Sequence, residues 1–217
     1  LWASIEGASM TSALLVFTKA PEPGVSKTRL IPALGADKAA AAHEVLALRT
    51  LDATVGLAEE GYEVSLWSPV AHTVLDRWAN RFGLPLYLQV VGDLGRKMQQ
   101  GLASALESGV TQALLIGSDC PVMTTEYIRQ ASAALQTSDL VLGPAEDGGY
   151  VLIGCKRPHP ELFANITWGS DKVLTQTLKR AEQLMLSVTL LEMMWDVDRP
   201  EDWARFQRLQ RESVGVD

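Results

Sequence analysis

The fold that this sequence predicts is α/β, with a mostly parallel sheet and helices on both of its faces. Three observations carry it. Short apolar runs alternate with helical patterns along almost the whole chain, the alternation that βαβ units produce. The runs are apolar throughout, as in ALLI at 113–116, rather than at every second residue, so the strands are covered on both faces. Charged or glycine-rich segments follow the strands, and a parallel sheet gathers such segments at its carboxyl edge.

In chain order, residues 12–18 (SALLVFT) form a first strand. It runs into a loop with Pro21, Pro23 and Gly24 among three cations, Lys19, Lys27 and Arg29. Exposed backbone N–H groups and these cations make an anion cradle at a strand's end. A P-loop is excluded, because glycine is absent where Pro21 and Ser26 stand. An alanine-rich helix over 36–60 carries Val45, Leu48, Leu51, Val55 and Ala58 at helical spacing, Gly61 closes it, and His43 is placed on its surface. A strand at 63–67, a helix at 70–82 and a strand at 84–91 follow. Asp93 caps the next helix, to about 107, and Gly92 and Gly95 let a flat ligand approach the backbone.

The central strand at 113–116 ends in Gly117, Ser118, Asp119, Cys120 and Pro121. The proline stops the ladder, and Asp119 is delivered to the carboxyl edge, as a site carboxylate or as the cap of the helix that follows. A helix at 124–136 and a strand at 138–142 lead to Glu146, Asp147, Gly148, Gly149 and Tyr150, before a short strand at 151–154. Asp-Gly alone makes a hairpin turn, whereas Glu146 adds nothing to one, so the segment is read as part of a site. Trp168 and Ser170 precede an amphipathic helix, with Ser170 a candidate N-cap. A last strand at 187–194 reaches Asp196 and Asp198. Two apart on extended chain, these carboxylates point the same way and call for a cation, unless Asp198 caps the final helix instead.

The 217 residues, 47% hydrophobic and 21% charged, are read as one soluble domain over 10–217, and residues 1–9, ahead of Met10, as a non-native or flexible leader. The net charge of −7 argues against nucleic acid and anionic membrane as partners. No apolar run is long enough to insert into a bilayer. Two cysteines without a CxxC spacing suit a reducing, cytoplasmic setting.

Gathered at one edge, the cations and the separated carboxylates suit phosphate oxygens beside Mg²⁺ or Mn²⁺, since hard cations take both kinds of oxygen. At these residues the chain resembles a known family. FTKAPEPGVSKTRL (17–30), GDLGRKM (92–98), GSDCP (117–121), GPAEDGGYVLIG (143–154), WGSDKVL (168–174) and DVDRPEDW (196–203) are similar to bacterial nucleotide-diphospho-sugar-transferase-like proteins. These are the radical-SAM/selenodomain-associated or arsenosugar-biosynthesis-type glycosyltransferases, or domain of unknown function 2064. A more distant likeness is to phospholactate and molybdopterin guanylyltransferases. The resemblance implies a single-domain GT-A-like, three-layer α/β/α fold with about seven strands. It implies a metal at Asp119 completed by Asp198 or Asp196, and nucleotide or phosphate at Lys19, Lys27, Arg29, Gly92, Leu94, Gly95 and Ser118. A donor or acceptor pocket falls at Gly148, Gly149, Tyr150 and Trp168, with Asp119 and Asp147 or Glu146 as catalytic groups. The expected partners are a nucleotide sugar or nucleoside triphosphate and a small-molecule acceptor. Three readings follow: glycosyl transfer from a nucleotide-diphospho-sugar, nucleotidyl transfer from a triphosphate to a phosphorylated acceptor, and a non-catalytic nucleotide-binding regulator.

Overall fold

The computed structural model describes residues 11–214; the expected leader lies outside them. Among the described residues, seven strands form one mixed sheet in the order β3-β2-β1-β4-β6-β5-β7. They are β1 Ser12–Phe17, β2 Tyr62–Ser68, β3 Leu86–Leu88, β4 Gln112–Gly117, β5 Leu140–Pro144, β6 Tyr150–Cys155 and β7 Val188–Leu190. β6 alone runs antiparallel, against both β4 and β5, so the segment between β5 and β6 is a hairpin connection.

Period-two alternation of the strand side chains divides the core between the two faces. Leu14, Val16, Leu114 and Ile116 face one side, where α2 (Ala36–Asp52), α3 (Thr73–Phe82) and α5 (Thr125–Ala134) cover them through Ala47, Leu51, Leu75, Trp78, Tyr127 and Ile128. Leu15, Phe17, Leu115 and Ile153 face the other, under Met98 and Leu102 of α4 (Leu94–Glu107) and Ala181 of α6 (Val173–Gln183). Each fully buried leucine contributes roughly 1.5–3 kcal/mol, so a one-residue slip of β1 or β4 would exchange faces at large cost and the register is fixed. A third cluster lies outboard. Leu30, Ala39, Ala42 and Leu46 pack there with Trp195, Val197 and Phe206, the last from α7 (Pro200–Val214). The short α1 (Ile31–Leu34) connects Leu30 to α2.

Several boundaries differ from expectation. β3 and β7 are three residues each, because they are the sheet's two edges and pair on one side only. The 36–60 helix stops at Asp52 and resumes as a 3₁₀ turn, Leu57–Glu60. Its buried residues are Ala39, Ala40, Ala42, His43, Leu46, Ala47, Thr50 and the expected Leu51, with Leu48 partly buried, whereas Val45 and Val55 are exposed. Small alanines form much of the buried face, so the large apolar residues marked it only in part. Among the described residues no helix is long and apolar enough to cross a membrane.

Candidate active site

Strand order fixes where a site can form. The chain moves from β1 outward to β2 and β3, then returns to place β4 on the other side of β1. Between β1 and β4 the direction of winding reverses, and the loops leaving their carboxyl ends diverge into a crevice. Phe17 lies opposite Gly117 at that edge, so Lys19 and Asp119 leave the sheet side by side. The Ser118 hydroxyl donates to Thr18 Oγ1 at 2.8 Å and stitches the two loops together.

The loop after β1 is held from below. Ser26 is buried and its hydroxyl donates to the Ala20 carbonyl, while Leu30 anchors the far end in the third cluster. Between them Lys27 adopts a left-handed backbone, φ 50°, an uncommon conformation for a residue with a β-carbon. This turns its side chain inward, where it is 6% exposed. The ammonium donates to the Val197 carbonyl and pairs with Asp119 Oδ2 at 3.0 Å. Arg29 pairs with Asp198. Two of the three expected phosphate ligands, Lys27 and Arg29, are therefore engaged by carboxylates, and both Arg29 and Lys19 are exposed.

Asp119 is 46% exposed, into the crevice. Burial is the largest influence on its carboxyl and opposes ionisation, but Lys27, His43 and Lys19 outweigh it and hold the group below the usual carboxylate range. His43 corrects its expected surface placement. It is buried, with Nε2 3.0 Å from the Lys19 carbonyl and Nδ1 3.8 Å from Asp119 Oδ1. Burial lowers its pKa while Asp119 opposes that shift, and because a carbonyl only accepts, Nε2 donates to the Lys19 carbonyl.

Two adjoining cavities share Leu94, Gly117 and Asp119. The first, ≈ 530 Å³, is lined by Lys19, Lys27, Arg29, Lys97, Gln89 and Asp198 among others. Lys97 is a cation that the sequence reading omitted. It lies one turn beyond Leu94 on α4, and that i, i+3 spacing is the signal that finds it. The second, ≈ 180 Å³, is bounded by Asp119, Asp147 and Asp196, with Gly149, Tyr150, Trp168 and Ser170. The Gly149 N–H donates to Asp147 Oδ1 at 2.8 Å and aims that carboxylate.

Other assignments are redistributed. Gly95 packs against Trp168: a β-carbon there would stand 2.6 Å from the indole ring. Gly92 faces the Arg96 side chain, and Asp93 caps α4 as expected, accepting from the Arg96 N–H at 2.8 Å. Gly148, with φ 88°, is pressed against the Asp171 backbone, and its carbonyl accepts from Leu174 N–H at 2.9 Å, fastening the hairpin loop to α6. Glu146 lines neither cavity; it makes a bidentate pair with Arg205 of α7, at 2.8 and 3.1 Å. Asp196 and Asp198 do not form the expected pair. Asp196 opens into the second cavity and Asp198 into the first, because the segment after β7 is irregular apart from one bridge at Met194. Burial, then Asp147 and Asp119, push the Asp196 carboxyl up to about 6. Asp202, in the first turn of α7, reaches back and accepts from the Asp198 and Arg199 N–H groups. Ser170 does not cap α6, whose N-cap is Lys172.

Among the described residues no three His, Cys, Asp or Glu side chains converge as a ready metal cage. The donor set nonetheless fits Mg²⁺ or Mn²⁺, which are held by one or two carboxylates together with substrate phosphates: Asp119, shared by both cavities, and Asp198 both line the first.

A sheet wound to this order, with a crevice at its switch point, defines a nucleotide-diphospho-sugar-transferase-like protein. The chain belongs to the family of uncharacterized proteins conserved in bacteria designated DUF2064, whose model matches residues 50–170. The crystal structure of a presumed nucleotide-diphospho-sugar transferase from Desulfovibrio desulfuricans G20 is 31% identical, with a TM-score of 0.80 over 88% of this chain and 84% of the other. Two more distant structures share the fold. One is 4-diphosphocytidyl-2C-methyl-D-erythritol synthase from Anaerococcus prevotii DSM 20548, 13% identical, with a TM-score of 0.63 over 94% and 97%. The other is Rv0371c from Mycobacterium tuberculosis H37Rv in complex with manganese, 17% identical, with a TM-score of 0.57 over 92% and 98%. No curated protein matches the sequence.

Proposed function

We propose that this protein is a transferase that takes a nucleotide-activated donor, and that the reaction is glycosyl transfer from a nucleotide-diphospho-sugar. The observation that carries the reading is the pair of cavities joined at Asp119, one bordered by cations and the other by carboxylates and an indole. The first has the volume of a nucleotide site. Lys19 and Lys97 bind the diphosphate there, with Arg29 available once it leaves Asp198. The second takes the acceptor. Asp147, aimed by the Gly149 N–H, accepts the proton of the acceptor hydroxyl as that oxygen bonds to the anomeric carbon. The bond from that carbon to the diphosphate breaks, and the nucleoside diphosphate leaves with the electron pair. Mg²⁺ or Mn²⁺, held by Asp119 with Asp198 in the first cavity, would neutralise charge on the departing diphosphate. The likeness to a presumed nucleotide-diphospho-sugar transferase and to the manganese complex of Rv0371c supports the donor and the metal.

A second reading, nucleotidyl transfer from a triphosphate, is favoured by one observation: four cations, Lys19, Lys27, Arg29 and Lys97, border the first cavity. The two separate by product. Incubation with panels of nucleotide sugars and of nucleoside triphosphates, with Mn²⁺, yields nucleoside diphosphate under the first reading and pyrophosphate under the second. Absence of both across the panels overturns the assignment as an enzyme of this class.

A further inference from the structure

We propose that the second cavity selects its acceptor by charge: it takes a hydroxyl-rich molecule that is neutral or cationic, a sugar or amino sugar, and rejects a phosphorylated one. The inference rests on the acceptor assignment above and names the acceptor's class. No Lys, Arg or His lines this cavity, whereas three carboxylates do. Asp119 has its counter-charge in Lys27. Asp147 and Asp196 have none: no ion pair within 4.0 Å reaches either among the described residues. Arg205, which does not line the cavity, is committed to Glu146 by two hydrogen bonds and lies 4.1 Å over the Trp195 ring. An entering phosphate would therefore meet two carboxylates without ion-pair partners in a space of ≈ 180 Å³, and like charges so placed repel. Hydroxyl groups are complementary instead, since an ionised carboxylate only accepts hydrogen bonds and a sugar O–H donates them. An ammonium group gains a charge-assisted bond in the same place.

The walls fit the same ligand. Trp168 is held from behind by Phe163, with ring centroids 6.5 Å apart and planes 27° from parallel, and from the side by Gly95. A fixed indole beside carboxylates offers an apolar surface to the C–H face of a sugar ring and acceptors to its edge. The ≈ 180 Å³ volume suits one ring and not an extended chain.

The test measures glucose, glucosamine and glucose 6-phosphate binding to the full chain by saturation-transfer NMR, without nucleotide, so that the outcome is independent of the donor. The expected result is that glucose and glucosamine bind and that glucose 6-phosphate binds at least tenfold more weakly. In Asp147→Asn/Asp196→Asn, with folding checked by circular dichroism, the gap should fall to about twofold; the single variant Asp147→Asn should narrow it partway and serves if the double variant does not fold. Glucose 6-phosphate binding as tightly as glucose, binding by none of the three probes, or a gap that persists in the variants would each overturn the proposal. Failure of every nucleotide to stabilise the protein would instead remove the proposed function and leave the charge preference measured here standing or falling by itself.

Discussion

Lys27→Met tests the centre of the site, because the structure gives that lysine two partners far away in sequence. Its ammonium bridges Asp119 and the Val197 carbonyl, joining the β1 loop, the end of β4 and the segment before α7. Methionine keeps most of the buried stem, and neither residue relieves the left-handed backbone as glycine would, so the charge is the main variable. A hydrogen bond from a charged donor contributes about 1.5–3 kcal/mol. Two effects reduce that figure. The ammonium, 6% exposed, no longer bears a desolvation penalty, and Asp119, 46% exposed, is rehydrated by crevice water. The net expectation is a loss of about 1–2 kcal/mol in the ligand-free protein, or roughly 2–8 °C in Tm for a domain of this size. Thermal unfolding of Lys27→Met, Asp119→Asn and the double variant then gives a coupling energy of about 1 kcal/mol. A lysine that served only as an open phosphate ligand would leave ligand-free stability unchanged and lower nucleotide affinity alone. An unaltered Tm with single-variant effects that add within about 0.5 kcal/mol would refute the bridging role.

Asp119→Asn should abolish turnover of whichever donor the panel identifies while leaving the circular dichroism spectrum intact; retained turnover removes Asp119 from the chemistry. Gly95→Ala drives a methyl group into the Trp168 ring, so the KM for acceptor should rise about tenfold while nucleotide affinity, measured by thermal shift, stays within twofold. Glu146→Gln should retain activity and lower Tm by about 1–4 °C, since a half-exposed bidentate pair with Arg205 is worth about 0.5–1 kcal/mol; a large loss of kcat would return Glu146 to the mechanism. Asp139 accepts from the Ser187 hydroxyl at 2.6 Å and the Ser187 N–H at 2.9 Å, which hold its carboxyl below the usual range. The folded pKa being depressed, this stabilisation is present above the unfolded pKa and lost as pH falls through the folded one. Asp139→Ala should accordingly lower Tm at neutral pH, by about 0.5–1 kcal/mol of stability after screening, and the gap to wild type should close in acid.

What the sequence disclosed, and what it hid, follows from the range of each interaction. β1 and β4 are legible because a strand covered on both faces has to be apolar at every position, and their ends put Lys19 and Asp119 on one edge. The Asp147-Gly148 loop connects antiparallel β5 and β6, as the hairpin reading expects, and its Gly149 N–H holds the Asp147 carboxylate beside the second cavity. Pairings across long separations left no local trace. Nothing near Lys27 announces Val197, nor does anything near Glu146 announce Arg205. His43 was misplaced because alanines on both sides of α2 conceal which face is buried. The expected Asp196–Asp198 pair assumed strand geometry, and the chain there is irregular, so one carboxylate goes to each cavity. That division is the more informative arrangement. With Asp198 matched to Arg29 beside the cationic cavity, and Asp196 left unmatched beside Asp147, the two halves of one short motif give the crevice opposite charge preferences on either side of Asp119. A donor carrying phosphates and an acceptor carrying none would sort themselves into these halves by electrostatics alone, with the group to be transferred placed at Asp119 between them.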